Sequence, residues 1–277
     1  MTGRRRYAAR RGIALPVVLI ALAALSALAV TMTRRSVMVY RETRALEQSL
    51  QVQHLLDAGL QRGLFAILSP DDELLPRLRT GRAVPFEFQG RTIRIDLIIE
   101  SGKVDVNAAD PELLKSVIRG LLGPEAGPRV AEFVLSERQR GRWFGNVASV
   151  LPLVEQQGPS AALLHRHLTT YTGQTGISPF AAPPRTLELV PGASPVEVEL
   201  LKRMRETGEY NGTVFSGDLG RFLSAERPIY TIGASLQLSA SQTRRRELTI
   251  MLNVKDRSYA TIFWGDVVAE PTADRRD

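Results

Sequence analysis

An uncharged run near the amino terminus constrains this chain more than any other feature of its sequence. Residues 12–33 carry no charged side chain, and residues 13–32 read IALPVVLIALAALSALAVTM. A helix of this length is about 30 Å long, which matches the hydrocarbon core of a bilayer. Arg34 and Arg35 end the run. The sequence therefore predicts one membrane-spanning helix over residues 13–33.

The positive charge of the chain is concentrated ahead of this run. The formal net charge is +7 at pH 7, and five arginines with no acid among them precede Gly12. Such a cluster is typical of the cytoplasmic flank of a membrane span. Because the rest of the chain is close to neutral, its charge is weak evidence for a nucleic-acid partner. The chain has no cysteine, which excludes disulfides and Cys-ligated metal sites.

The helical pattern continues beyond the membrane segment. Residues 35–68 contain no proline and two glycines, Gly59 and Gly63. Leucines recur at spacings of about three, four and seven residues, which is typical of an amphipathic helix. We therefore predict one continuous helix of roughly fifty residues. The alternative is a secretory signal peptide cut after Ala29, but an independent fold normally follows such a signal.

Alternating apolar residues predict a small antiparallel sheet. Residues 86–100 alternate across a turn at residues 89–91, which indicates a β-hairpin. Three further strands are predicted over residues 230–238, 248–254 and 259–264. The three consecutive arginines at 244–246 are predicted to form a solvated turn. An apolar face of this sheet would cover the amphipathic stripe of the helix.

The segment between the two groups of strands, residues 102–225, is predicted to be mostly helical with a weak internal repeat. Residues 108–114 read AADPELL and are echoed by AAPPRTL at residues 181–187. Asp110 followed by Pro111 predicts a helix start with the acid at the N-cap, and the second copy lacks this acid.

The run NAA at residues 107–109 and the later GRWF at residues 141–144 resemble helix-hairpin-helix, or SAM-like, modules. Such modules occur in membrane-tethered DNA receptors of the competence type and in the helical insertion of pseudopilin K. A hairpin that binds DNA offers free backbone amides to a phosphate. In the first predicted hairpin Pro124 removes an amide and Glu125 adds a negative charge. The second hairpin, at residues 190–195, is no better, so a protein-facing role is favoured and nucleic acid is not the expected partner.

The residues around Gly12 resemble a type IV prepilin cleavage site. Residues 10–15 read RRGIAL, and in that family a prepilin peptidase cuts after the glycine and the new terminal residue is methylated. Here the cut would fall between Gly12 and Ile13, and Ile13 would be methylated. Most members carry glutamate at the fifth mature position, where this chain has Val17. Pseudopilin K of the type II secretion system typically lacks that glutamate.

Together with LTTYTG at residues 168–173, these motifs resemble the minor pseudopilin K family over nearly the whole chain. The resemblance implies an α+β pseudopilin fold: a long N-terminal transmembrane helix on a small antiparallel sheet, with an all-α helix-hairpin-helix/SAM-like domain inserted between the second and third strands. The expected organisation is a cytoplasmic leader, a transmembrane helix, a periplasmic helix extension with the first hairpin, the inserted domain, the C-terminal strands and a disordered tail. These segments span residues 1–12, 13–33, 34–101, 102–225, 226–265 and 266–277.

The resemblance also implies a function. The protein would be a single-pass inner-membrane protein with its bulk in the periplasm, where it would cap the pseudopilus tip with the minor pseudopilins I and J and help to start fibre assembly. The expected partner surface is one face of the long helix, formed by Leu46, Leu50, Leu56, Leu60 and Leu64. Family members can bind calcium in the ectodomain, so the resemblance implies calcium as a cofactor to consider, and its ligands are not assigned to residues of this chain.

No catalytic constellation is present in the sequence, so an enzyme is not expected. His165 and His167 are two residues apart and would point to different faces of a helix, which makes a shared metal site there unexpected. Two other classes remain open. One is a membrane-tethered helix-hairpin-helix DNA receptor, and the other is a periplasmic enzyme released at Val30.

Overall fold

The structure is a computed structural model that describes residues 14–69, 71–153, 159–207 and 218–267. The chain divides into two compact units, residues 1–54 and 55–277. The predicted leader, with Gly12 and Ile13, lies outside the described residues. The predicted segment 266–277 is described only at its first two residues, and these belong to the last strand, so the predicted boundary at residue 265 is too early.

Six α-helices are found in the described part of the chain: α1 Ala14–Leu68, α2 Leu74–Arg79, α3 Pro111–Gln139, α4 Pro159–His167, α5 Pro184–Glu188 and α6 Pro195–Thr207. The described part of the chain also contains seven strands: β1 Val84–Phe88, β2 Arg91–Ile99, β3 Val104–Asp105, β4 Leu168–Thr169, β5 Ile229–Ser239, β6 Gln242–Asn253 and β7 Ser258–Val267. The predicted continuous N-terminal helix is confirmed as α1, which is 55 residues long.

Five strands form an antiparallel sheet in the order β1-β2-β5-β6-β7. The predicted first hairpin is confirmed, and its turn has positive φ at both Gln89 (49°) and Gly90 (70°). This is the backbone twist that two-residue hairpin turns favour, because it matches the twist of the strands. The helices α3 to α6 lie between β2 and β5 in sequence, although these two strands are neighbours in the sheet. The predicted insertion between the second and third strands of the sheet is therefore confirmed, but it is not purely helical, because β3 and β4 form a short parallel pair within it.

Residues 55–68 of α1, which belong to the second unit, lie close against one face of this sheet. Leu56, Leu60 and Leu64 are buried there, and the strands supply buried Ile93, Ile95 and Ile232. Two glycines permit the close approach: a Cβ added at Gly63 would lie 2.6 Å from Ile232 Cγ2, and one at Gly59 would lie 2.8 Å from Ile93 Cγ2. Both contacts are shorter than real Cβ contacts, so the distance between helix and sheet depends on these glycines.

Replacing Gly63 with alanine is expected to lower the free energy of unfolding by about 1–2 kcal/mol. Alanine gains about 1 kcal/mol in helix propensity. Overpacking a filled core costs about 1–3 kcal/mol, and the cost here is at the upper end, about 2–3 kcal/mol, because the added Cβ would lie 2.6 Å from Ile232, a β-branched side chain on a central strand that cannot move aside. Denaturant unfolding of the full-length protein in detergent measures the change. Gly145→Ala is the control, because its added Cβ would meet no atom within 4 Å. Equal stability of Gly63→Ala and the wild type would contradict this account of helix packing.

The inserted domain has its own hydrophobic core. Its largest fully buried side chains are Leu113, Leu114, Ile118, Leu164, Leu168, Ile177 and Phe222. The predicted helix start is confirmed: Asp110 is the N-cap of α3 and accepts a hydrogen bond from the backbone N–H of Glu112. The second copy begins at Pro184 with Pro183 at the N-cap and no side-chain cap, also as predicted.

Candidate assembly surface

The first unit of the chain presents an apolar helix surface. Apolar side chains from Leu15 to Tyr40 are exposed, and Val17, the fifth residue after the predicted cut, is 56% exposed. Among the described residues, one helix is long and apolar enough to cross a membrane. An apolar surface of this extent needs lipid or another protein to cover it.

The structure divides the predicted partner face of this helix into two parts. Leu46 and Leu50 are 65% and 55% exposed, whereas Leu56, Leu60 and Leu64 are 2%, 0% and 6% exposed. The three buried leucines fill the protein's own core, so the prediction that they meet a partner is wrong. Periodicity reveals an apolar face but not what covers it. Of the five leucines, only Leu46 and Leu50 are exposed.

The predicted solvated turn at residues 244–246 is also wrong, because these arginines lie inside β6. The turn between β5 and β6 falls at Ala240 and Ser241 instead. Two of the arginines make ion pairs that tie the sheet together and attach it to α1. The prediction failed because three consecutive charges resemble a loop, and their carboxylate partners are distant in sequence.

Arg245 crosses the central strand on the face of the sheet opposite to α1. Its guanidinium donates two hydrogen bonds to the Asp96 carboxylate, at 2.6 and 3.0 Å, and lies 2.8 Å from Glu247 Oε1. Gly233 of β5 lies beneath it, and a Cβ there would be only 2.1 Å from Arg245 Nη2. Burial lowers the pKa of Arg245, but the Asp96 and Glu247 carboxylates raise it overall. The arginine is therefore a permanent cation that joins β2 and β6 across a glycine.

Arg246 points to the α1 side of the sheet. Its Nη1 lies 2.8 Å from both carboxylate oxygens of Asp57 on α1, and the Trp264 indole N–H donates to the same carboxylate at 3.2 Å. One acid on the helix thus binds side chains from two adjacent strands. Asp57 was not predicted from the sequence, because nothing in the residues around it distinguishes it from an ordinary surface acid.

A buried polar cluster joins the sheet to the inserted domain. Glu100 and Lys103, both buried, form an ion pair at 2.9 Å directly after β2. The Thr231 hydroxyl lies 2.7 Å from Glu100 Oε1 and 2.8 Å from the Thr249 hydroxyl. Buried charges persist only where they are paired and hydrogen-bonded, so this cluster fixes the point at which the insertion leaves the sheet.

Asp105 holds two distant segments of the inserted domain together. Its carboxylate accepts five hydrogen bonds: Oδ1 from the backbone N–H groups of Asn107 and Ala108, and Oδ2 from the Thr172 N–H, the Thr172 hydroxyl and the Gly173 N–H. The side chain is buried. The segment LTTYTG, identified from the sequence as distinctive, therefore supplies the donors for this carboxylate.

Asn107 links the run NAA to the run GRWF. Its side-chain amide donates to the Phe144 carbonyl at 3.0 Å and its carbonyl accepts from the Phe144 N–H at 2.8 Å. Phe144 is buried and packs edge-on against Phe133. The two motifs that suggested a helix-hairpin-helix module are thus hydrogen-bonded to each other.

The first hairpin is a sharp reversal within α3. Gly123 has φ of +78°, and the helix kinks there, with Pro124 directly after it. A Cβ at Gly127 would lie 2.6 Å from Arg119 Cα, so the two halves of α3 cross at very close range. In the second hairpin, Ser194 and Glu197 form a reciprocal capping box at the start of α6. These interactions give the hairpin residues a structural role within the inserted domain.

His167 lies in the interior of the inserted domain. Its Nδ1 is 2.7 Å from the Thr186 hydroxyl, and burial, together with the nearby cations of Arg166, Lys103 and Arg185, lowers its pKa from 6.5 to about 4. The imidazole is therefore neutral at pH 7. In the described residues no group of three or more His, Cys, Asp or Glu side chains could hold a metal ion.

Acidification is expected to destabilise the protein through His167. Its pKa is about 4 in the folded state against 6.5 for an unperturbed histidine, so the unfolded chain takes up the proton first as the pH falls. The neutral His167 therefore costs no stability above about pH 6.5. Between about pH 6.5 and pH 4 the free energy of unfolding should fall by about 2–3 kcal/mol in total. Denaturant unfolding at several pH values should show a smaller loss in His167→Gln than in the wild type. The exposed-site variant His54→Gln should follow the wild type, and parallel curves for all three proteins would contradict the prediction.

The fold is that of pseudopilins: a long apolar N-terminal helix packed on a small antiparallel sheet. No family model matches the sequence, and no curated protein sequence is significantly similar to it. Among solved structures, the chain is similar to one described as the crystal structure of the GspK-GspI-GspJ complex from the enterotoxigenic Escherichia coli type 2 secretion system. The TM-score is 0.53 at 11% sequence identity, and the alignment covers 83% of this chain and 99% of the other. This similarity shows the fold.

Proposed function

We propose that this protein is a non-enzymatic, membrane-anchored minor pseudopilin that caps the tip of a type II secretion pseudopilus. In this role it is anchored in the inner membrane with its bulk in the periplasm. It assembles there with the minor pseudopilins I and J and helps to start the fibre. The observation that carries the proposal is the combination of an exposed apolar helix with a pseudopilin sheet that is interrupted by a large helical insertion.

The insertion supports a position at the tip. It occupies more than one hundred residues between two neighbouring strands of the sheet and has its own core. A domain of this size hinders packing along a fibre shaft, whereas the end of a fibre leaves room for it. Val17 supports the same position, because a first subunit has no preceding terminal amine that a glutamate would neutralise.

Processing by prepilin peptidase is tested by the intact mass and N-terminal sequence of the protein from membranes of its native host. The proposal expects a chain that begins at Ile13 and carries one added methyl group. Gly12→Val should block the cut, because a bulky side chain prevents the extended backbone from entering the protease. Gly3→Val, the same change elsewhere in the leader, should leave the cut intact. A soluble product that begins at Val30 would overturn the proposal.

Assembly is tested by co-expressing the full-length chain with the minor pseudopilins I and J of its host and measuring the mass of the purified complex. Leu46→Asp with Leu50→Asp should weaken the complex without unfolding the protein, because both side chains are exposed. Gln48→Asp with Gln51→Asp adds the same charge to another face of the helix and should leave the complex intact. Failure to form any complex, with strong and salt-sensitive binding to duplex DNA instead, would favour the DNA-receptor class.

A further inference from the structure

A basic segment follows the apolar run within α1. Arg34, Arg35, Arg41 and Arg44 are all exposed on this helix, and Glu42 is the one acid among residues 34–44. Four apolar residues lie between the two arginine pairs and are also exposed: Val37, Met38, Val39 and Tyr40. The segment therefore alternates along the helix axis between two basic layers and one apolar layer. We call residues 34–44 the collar.

The apolar residues of the collar do not form a single face that one protein partner could cover. Four consecutive helical residues point in directions about 100° apart and so surround the helix. The four arginines spread over about half of the circumference by the same geometry. A docking helix covers a much narrower stripe. A medium that surrounds the helix, and that changes from apolar to charged along the helix axis, fits this distribution of side chains better.

The position of the collar along the helix matches a lipid headgroup layer. Arg34 is about 30 Å from Ala14 along a straight helix, which equals the hydrocarbon thickness, and the headgroup layer adds about 5–8 Å on each side. Val37 lies about 4.5 Å and Tyr40 about 9 Å beyond Arg34 along the helix. The apolar layer therefore crosses the headgroup region and Tyr40 lies at its outer edge, close to the interface where tyrosine is enriched. Arg34 and Arg35 have stems long enough to reach outward to the phosphates. The Arg44 guanidinium lies 4.9 Å from the centre of the Tyr40 ring, which places a second cation at the same level.

We propose that the collar binds anionic phospholipid headgroups of the leaflet through which the helix leaves the membrane. Basic residues near a membrane surface are attracted to anionic lipids. In the orientation proposed above, the collar lies on the translocated side, where arginines oppose the usual charge asymmetry. Their presence there is explained if the headgroups neutralise them. This inference requires that the protein is anchored in a membrane, but it does not depend on assembly at a fibre tip.

The chain has no cysteine, so one engineered cysteine labels the collar specifically. The full-length Val39→Cys protein carries an environment-sensitive fluorophore and is reconstituted into vesicles of phosphatidylglycerol and phosphatidylcholine. Either lipid is brominated in turn, so that quenching reports which lipid surrounds the label. Brominated phosphatidylglycerol should quench several-fold more efficiently than brominated phosphatidylcholine at equal mole fraction, and high salt should reduce the difference.

Replacing all four collar arginines with glutamine should abolish the preference while leaving quenching by both lipids. A charge-matched control replaces four exposed arginines of the second unit: Arg82, Arg91, Arg94 and Arg257. This control should keep the preference. Equal quenching by both lipids in the wild-type collar, or an unchanged preference in the glutamine variant, would overturn the proposal. Absence of quenching by either lipid would overturn the proposal. Membrane anchoring itself, and with it the proposed function, would be overturned only if the protein also failed to float with the vesicles on a density gradient.

Discussion

Asp105→Asn is expected to lower the free energy of unfolding by about 3–5 kcal/mol. The substitution preserves shape, but the amide nitrogen must replace either Oδ1, which accepts two hydrogen bonds, or Oδ2, which accepts three. At least two buried donors then face another donor, and each buried unsatisfied group costs about 1–3 kcal/mol. The loss of the negative charge weakens the remaining bonds further.

Asp110→Asn is the matched control, five residues along the same loop. Asparagine is as good an N-cap as aspartate, and the Arg221 side chain that pairs with Asp110 is 56% exposed, so this change should cost less than about 1 kcal/mol. Denaturant unfolding measures both variants, with the fluorescence of Trp143 as a probe in the inserted domain and Trp264 as a probe on the sheet. Similar losses in the two variants would show that Asp105 does not hold the domain together.

Arg245→Met is expected to destabilise the protein by about 3–5 kcal/mol, because it leaves a buried carboxylate without its partner. The side chain of Asp96 is 6% exposed and that of Arg245 is 14% exposed. Methionine occupies much of the space of the arginine stem, so the loss reports charge rather than a cavity. The free energy of unfolding of the full-length protein in detergent measures the effect.

Two further variants make this prediction specific. Arg244→Met removes the neighbouring arginine, which is exposed, and should change the stability by less than about 0.5 kcal/mol. Arg245→Met combined with Asp96→Leu should recover most of the loss, since a buried ion pair can be replaced by apolar residues of similar volume. A double variant as unstable as the sum of the single ones would mean that the two side chains do not act as a pair.

Several elements were predictable from the sequence because their signals are local. The continuous helix follows from the apolar run and the leucine spacing, and the first hairpin follows from alternation around Gln89 and Gly90. The position of the inserted domain follows from the gap between two groups of strands. In each case the periodicity or the turn residues within a short window determine the backbone, so no knowledge of distant contacts was needed.

The candidate site was predicted only in part, because burial depends on what lies opposite each residue. The leucine stripe was identified correctly, but its division between core and exposed surface was not. The run NAA was related to the run GRWF by resemblance, whereas the hydrogen bonds from Asn107 to Phe144 became visible only in the structure. The roles of Asp57 and Asp96 carry no signal in the sequence that would distinguish them from ordinary surface acids.

The sequence by itself determined a helix long and apolar enough to cross a membrane, the strands that accompany it and the helical character of the insertion. The tertiary structure alone decided which charges are buried and with what partners. Asp96 and Arg245 are 149 positions apart, and Asp105 and Thr172 are 67 positions apart. Periodicity is a property of neighbouring residues, whereas pairing across such distances depends on strand order and register, which exist only once the chain has folded.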